Sequence, residues 1–519
     1  VNYDHIVIGA GHNGLTCAGY LAKTGAKVLV LEARGQAGGA AATTEIAPGF
    51  RVSACAHLLY QLHPKVIADL ALPRHGLAFA AKNVQTSVLG ANRAALHMKS
   101  DAVLGAVSPA DAAAWPLFWQ RLCKISRHLQ AMLLMSPPRL AGRDLAQNLD
   151  LLKLGWAIRS LGQTDMREFL RIAAMNVYDL AADHFESPLI KARIAADAVL
   201  GTNLGPRSPG TVLSLLYRLT GAIDGVQGAL ALPAGGMGAV TAALAKAATA
   251  HGAEIRLNSR VGRIIVEGGK AAGVVLENGE AINARSVISN AGPAATMAGM
   301  VGARHIDAGF QRDISKIRAK GAAAKLNLAL DRLPVFTGLE PAELAGRILI
   351  GESVESIERA FDASKYGGWS EAPMMEIVIP SITDPTLAPA QKHVLSAIVQ
   401  YAPYKVSGGW PARRATFLQD TLARLEQFAP GIGASVVAHE LKTPADIETE
   451  YGMPGGHWHH GELAIDQLLM LRPVAGAARY AMPVEGVFLC GAGCHPGGGV
   501  MGAAGYNAAR AVLARKAAA

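Results

Sequence analysis

His5-Ile-Val-Ile-Gly9-Ala-Gly11-His-Asn-Gly14, then Leu15–Gly25, then Ala26-Lys-Val-Leu-Val-Leu-Glu32-Ala-Arg34, is the stretch whose reading decides the fold. Ile6–Ile8 is an unbroken apolar run, the pattern of a parallel strand covered on both faces rather than of a half-wet one. A glycine turn follows, then a helix over 15–25 with Gly25 as its C-cap. A second buried strand ends at Glu32. The unit is therefore strand–turn–helix–strand, the context in which G-x-G-x-x-G carries meaning. Gly9 permits the tight turn, Gly11 lets backbone approach a pyrophosphate, and Gly14 allows close helix–strand packing. The helix N-terminus stabilises the anion. Glu32 stands 23 residues after Gly9, placed to accept hydrogen bonds from ribose hydroxyls. An acid there favours FAD or NAD over NADP.

Working outward, Arg34 and Gly38-Gly39 come directly after Glu32. A Gly-Gly there lets a loop wrap back over a cofactor and tilts the reading from NAD to FAD. Gly235-Gly236-Met237-Gly238 introduces a helix over 239–252, and strands are expected at 254–258 and 261–269. Val261 would meet an adenine edge, and Gly236 would lie near the cofactor where the chain crosses between domains. Asn278-Gly279 marks a hairpin turn, and 285–291 reads as a further short strand. Near the C-terminus, strand 486–490 runs into Cys490-Gly-Ala-Gly493-Cys-His-Pro-Gly-Gly-Gly499-Val-Met-Gly502 and a last helix. A helix N-terminus aimed at a flavin's pyrimidine end would stabilise the reduced ring.

With 519 residues the chain exceeds one core, which stops growing at roughly 250–300 residues. A composition of 51% hydrophobic and 17% charged residues excludes a disordered chain. The expected organisation is a nucleotide domain in three pieces, 1–70, 226–300 and 479–519. A substrate domain is inserted as 71–225 and 301–478. Helical periodicity dominates from 70 to 225. The helix over 117–135 puts Phe118, Leu122, Ile125, Leu129 and Met132 on one face, with Arg121, Lys124, Arg127 and His128 on the other. That makes it a core-packed helix or an interfacial anchor. From 300 to 475, strands (325–330, 374–381, 395–403) mix with a helix at 415–429.

The net charge of +9 comes from scattered residues; no basic run is present and no nucleic-acid partner is expected. Five cysteines without a C-x-x-C pair are read as packing residues in a reducing compartment. No signal segment and no membrane-spanning stretch is read. A cytoplasmic location is expected, with peripheral membrane contact and a homo-oligomer as open alternatives. A second dinucleotide motif, G-x-S-x-G and H-E-x-x-H are all absent, so neither a disulfide reductase nor a hydrolase is supported. His457-Trp-His459-His460 is bracketed by Gly455, Gly456 and Gly461. It is read as a loop facing flavin or substrate rather than a metal site, and no metal is expected.

Together with Pro48–Arg51, EIRLNSRVGRI, VQYAPY at 399–404 and YGMPGGHWHHGELAIDQLLMLRP at 451–473, these motifs resemble the phytoene-dehydrogenase-like FAD-dependent oxidoreductases along nearly the whole chain. The resemblance implies an α/β architecture: a Rossmann-type FAD-binding domain, p-hydroxybenzoate-hydroxylase-like, with an inserted mixed α+β substrate domain. It implies non-covalent FAD. By motif, Gly9, Gly11, Gly14, Glu32, Arg34, Gly38 and Gly39 would hold the ADP half and Val261 the adenine. Gly491, Gly493, Gly499, Val500 and Met501 would line the pyrophosphate, ribityl and flavin edge. No catalytic residue transfers. His460, Tyr401 and Tyr404 are the candidate polar groups beside the ring. The expected reaction moves a hydride between flavin N5 and an apolar, isoprenoid or alicyclic substrate, by dehydrogenation or isomerisation. The electron acceptor could be a quinone, an electron-transfer protein or oxygen. An amine oxidase and a flavin-bound scaffold without turnover are the alternatives.

Overall fold

The computed structural model describes residues 2–91, 94–138 and 145–518. Its first sheet has seven strands and draws on three separated stretches of chain. Strand Tyr3–Ile8 pairs in parallel with Val28–Leu31 on one side and with Ala281–Ser289 on the other, Ile6 lying opposite both Leu29 and Val287. Glu254–Arg256 adds a parallel edge beside Val28–Leu31, and Val487–Leu489 joins Ala281–Ser289. Ile6, Leu29, Val30, Val287 and Ile288 are fully buried, the two-sided burial that a parallel sheet imposes. Helices His12–Ala22, Met237–Ala250 and Ala503–Ala518 pack together over it, the first touching both others. Gly25, at φ +81°, closes the first helix by donating to Ala22 O at 2.8 Å.

Two expectations for this sheet need correction. The segment 285–291 is not a separate strand. Ala281–Ser289 is continuous: its first residues pair antiparallel with Lys270–Leu276 and the rest pair with Tyr3–Ile8. Exposure alternates through the first part and then ceases, as one strand passes from the rim into the covered centre. The helix expected over 239–252 begins two residues earlier, at Met237.

The second sheet has eight strands, in the order Val436–Lys442, Ala323–Leu330, His393–Gln400, Met374–Val378, Arg347–Ile350, Thr86–Leu89, Ala95–Met98, Val103–Leu104. The expected helical character from residue 70 onward fails over 79–104, which is largely strand. Thr86–Leu89 enters the sheet by pairing in parallel with Arg347–Ile350, some 260 residues away, and local periodicity carries no trace of such a partner. Further on the helices appear. Pro109–Leu133 starts earlier than read, capped by Ser108 Oγ accepting from Asp111 N. Phe118, Leu122, Ile125 and Met132 are buried in the protein's own core, while Arg121, Lys124 and Arg127 are exposed. All five cysteines are buried free thiols. Among the described residues no helix is long and apolar enough to cross a membrane.

Candidate flavin site

A cavity of about 440 Å³ has the seven-stranded sheet at one end, through Gly9, Glu32 and Val261, and the eight-stranded sheet at the other, through Glu376 and Ile398. At the first end the βαβ unit acts as its sequence suggests. Gly9, at φ +92°, turns the chain out of the strand, and Gly11 lies on the cavity wall where the helix begins. Gly14 is not on the wall. A Cβ there would sit 2.1 Å from Gly9 O, so its work is to let helix and turn close on each other. Glu32 is buried and accepts from Ala10 N at 2.7 Å and Arg34 N at 3.0 Å. One carboxylate thus fixes both the glycine turn and the loop after the second strand. That loop folds back: Gly38 N donates to Ala10 O at 2.8 Å, bringing Gly38 and Gly39 onto the wall beside Gly11. Arg34 pairs with Glu450 at 3.1 Å and lies over the Tyr451 ring. Val261, Val500 and Gly499 also line the cavity.

Asn290 lines the same wall and was missed. It follows strand Ala281–Ser289, its backbone N donates to Ile8 O at 2.8 Å, and its side chain lies against Gly9, Gly11 and Gly14. The polar residue ending an apolar strand was the available signal.

The middle of the cavity is walled by the histidine loop. His459, His460 and Trp458 line it, as does His12 from the helix N-terminus. Burial pushes His12 down to about 4, and burial followed by the nearby Arg472 guanidinium pushes His460 down to about 3. These imidazoles are neutral at pH 7. Among the described residues, no partner in good hydrogen-bond geometry meets the buried Nε2 of His12, Nδ1 of His459, Nδ1 of His460 or the Tyr451 hydroxyl. Unmet polar atoms along one wall are costly, and they fit a bound molecule rich in hydroxyls and ring nitrogens. With the glycine cradle at the helix N-terminus, the wall fits a flavin dinucleotide. Among the described residues no three His, Cys, Asp or Glu side chains converge as ligands for a metal ion.

The far end combines apolar Leu58, Leu200 and Ile398 with His57 and Glu376. Glu376 is buried, and Arg347 Nε and Arg218 donate to it at 2.5 and 3.1 Å. Burial opposes its ionisation, but the two guanidiniums outweigh burial and hold it well below the usual carboxylate range. His57 bridges Glu376 at 3.0 Å and Lys325 Nζ at 3.0 Å. Burial, and then the Lys325 charge, lowers His57 to about 4; burial lowers Lys325 to about 7. None of these residues was foreseen. The signal was a lone charge inside an apolar strand: Lys325 in AAKLNLAL, Arg347 in RILI, Glu376 in MMEIV.

Several candidates lie off the cavity. The Tyr401 hydroxyl donates to Leu204 O at 2.8 Å and its ring packs on Phe361. The Tyr404 hydroxyl donates to Glu448. Of the three polar groups expected beside a ring, only His460 lines the cavity. Gly236 is held against the hairpin of Thr43–Ala47 and Phe50–Ser53, where Gly238 N and Met237 N donate to Thr43 Oγ1 and Ser53 Oγ. Gly491 and Gly493 pack on Asn290 O and Pro293, leaving Ala492 between them on the wall. Met501 is buried against Leu133 and Ala503.

Comparison with known proteins agrees with this construction. Residues 14–513 match the family model described as flavin containing amine oxidoreductase, and the chain belongs to that family of flavin-dependent oxidoreductases. It is 36% identical to pyridine nucleotide-disulfide oxidoreductase domain-containing protein 2 of Rattus norvegicus, over 98% of this chain and 93% of that one. Phytoene desaturase and prolycopene isomerase are among the more distant relatives, so the resemblance to the phytoene-dehydrogenase-like flavoenzymes read from the motifs holds. One of the polypeptides of the limonene dehydrogenase of Castellaniella defragrans is 26% identical over 98% of this chain and 94% of its own. A solved putrescine oxidase with bound putrescine superposes with a TM-score of 0.61 at 15% identity, each chain covered completely, a likeness of fold.

Proposed function

We propose that the chain binds FAD non-covalently and oxidises or isomerises an apolar, isoprenoid or alicyclic substrate. The observation that carries this is one continuous cavity joining the Gly9–Gly11 cradle and Glu32 to an end walled by Leu58, Leu200 and Ile398. Flavin supplies two-electron hydride chemistry at N5 when bound. The chain's own contribution is position and exclusion of water. Glu32 is the group for ribose hydroxyls, Val261 the edge for adenine, and the helix opening after Gly499 the positive end for the pyrimidine. Burial pushes the cavity-lining Cys55 thiol up to about 12, so it faces the cavity protonated at neutral pH. The kinship with a limonene dehydrogenase polypeptide supports the isoprenoid class. Reoxidation by a quinone, an electron-transfer protein or oxygen accords with the lack of a second dinucleotide motif.

The test is titration of apoprotein with FAD, then anaerobic mixing with limonene or a longer polyene. Stoichiometric yellow colour and bleaching by a terpenoid are expected. Protein that stays colourless with FAD refutes the cofactor; a flavin untouched by every terpenoid refutes the substrate class.

The family match favours an amine oxidase as second reading. Tyr60 and Trp458 are aromatics on the cavity wall, but the Arg218 guanidinium already lies 4.4 Å from the Tyr60 ring centroid. Peroxide release with simple amines would favour that reading.

A further inference from the structure

Arg472 is 2% exposed and lies immediately behind the cavity wall. Its guanidinium spends every donor on main-chain carbonyls. Nε donates to Cys494 O at 3.2 Å, and one terminal nitrogen to Glu462 O at 3.2 Å and Gln467 O at 3.1 Å. The other donates to Ala492 O at 2.8 Å, Gly461 O at 3.3 Å and His459 O. Two of those carbonyls belong to wall residues, His459 and Ala492. No carboxylate of the described residues pairs with it. The acids of its own loop, Glu462 and Asp466, are turned to the surface and bound by Arg318 at 3.0 and 2.8 Å. The other titratable groups acting on it or on which it acts, His457, His459, His460, His495, Tyr217 and Cys494, are kept uncharged at pH 7, burial being the leading cause for each.

A buried charge is ordinarily paired. Carbonyl dipoles solvate Arg472 but leave its full positive charge uncancelled, in a low-dielectric wall where it acts strongly over a few ångströms. We infer that Arg472 is a fixed counter-charge for the negative charge that the bound flavin gains on reduction, and so a positioning residue that sets the cofactor's potential. In that reduction a hydride brings two electrons and one proton to the ring. The ring then carries one negative charge, and no co-reactant beyond the hydride donor is required. This rests on the flavin reading above.

The test compares wild type with Arg472→Lys, Arg472→Gln and Arg472→Met, each loaded with FAD and titrated with dithionite against a reference dye. Loss of charge in the Gln and Met variants is expected to shift the reduced-to-oxidised ratio at fixed potential at least tenfold toward oxidised, about 30 mV lower for a two-electron couple. Arg472→Lys disturbs the same carbonyls yet keeps the charge, and is expected to stay near the wild-type potential. A lower melting temperature and weaker FAD binding in all three variants, with potentials unchanged, would overturn the inference and leave the flavin reading intact. Failure of wild type to take up FAD overturns both. If the neutral variants do not fold, the wild type decides: its reduced flavin should resist protonation to a lower pH than free reduced FAD, and protonation at the free value sinks the idea.

Discussion

Two single residues at the mouth of the βαβ unit show how little freedom the cradle has. Glu32 receives two main-chain N–H groups with one carboxylate. In Glu32→Gln an amide N–H2 must face one of those donors. The expected loss is about 1–3 kcal/mol of stability, with FAD binding weakened at least tenfold; unchanged affinity by fluorescence titration would refute the role given to this side chain. Gly14 stands where a Cβ would meet Gly9 O at 2.1 Å. Gly14→Ala is expected to cost about 1–3 kcal/mol as overpacking and to lower flavin occupancy by moving the turn. Gly155→Ala is the control for crowding, since it lies in helix Leu145–Arg159 and a Cβ there meets nothing within 4 Å. Equal melting temperatures for the Gly14 variant and wild type would refute the packing argument.

At the scale of elements, what was legible followed sequence distance. The unit over 3–31 was readable because strand, turn, helix and acid are contiguous, and each signal constrains the next. The hairpin at Asn278-Gly279 was readable for the same reason. Thr86–Leu89 was not, because a four-residue strand between Arg347–Ile350 and Ala95–Met98 owes its place in the sheet to a partner some 260 residues away. Tyr401 and Tyr404 were chosen by residue type; the packing of strand His393–Gln400 carries both hydroxyls elsewhere. The far end of the cavity is likewise non-local. His57 comes from a loop, Lys325, Arg347 and Glu376 from three strands, and Arg218 from a helix. This network makes a sharp prediction. Glu376→Gln leaves the buried Arg347 and Arg218 with Asp197, at 2.7 and 3.2 Å, as their one remaining carboxylate, at an expected cost of about 3–5 kcal/mol in urea unfolding. Glu485→Gln removes an exposed partner of Lys270 at 3.2 Å and is expected to cost under about 1 kcal/mol. Similar losses in both would show that the buried network does not behave as an ionic unit.

At the scale of the whole molecule, buried uncharged histidines on the cavity wall and behind it set its behaviour in acid. His12, His57 and His495 are each lowered to about 4, and His457 and His460 to about 3, burial being the leading cause every time. In the unfolded chain these groups take up protons near the ordinary value of about 6.5. Between that value and about 4 the unfolded state therefore holds more protons than the folded one. By linkage, stability rises with pH in that window and falls as the solution is acidified. Each such histidine contributes at most about 1.4 kcal/mol per pH unit there, so several acting together make the decline steep. Glu376, held below its usual range, adds a further loss only at lower pH. Urea unfolding of the flavin-loaded protein, followed from neutral pH down to about 5, should show the denaturation midpoint dropping throughout. His457→Asn removes one buried imidazole that lies off the cavity wall and should flatten the slope without changing flavin affinity. A midpoint that holds constant from neutral pH to about 5 would mean that these imidazoles reach water, and the cavity wall built from them would have to be redrawn.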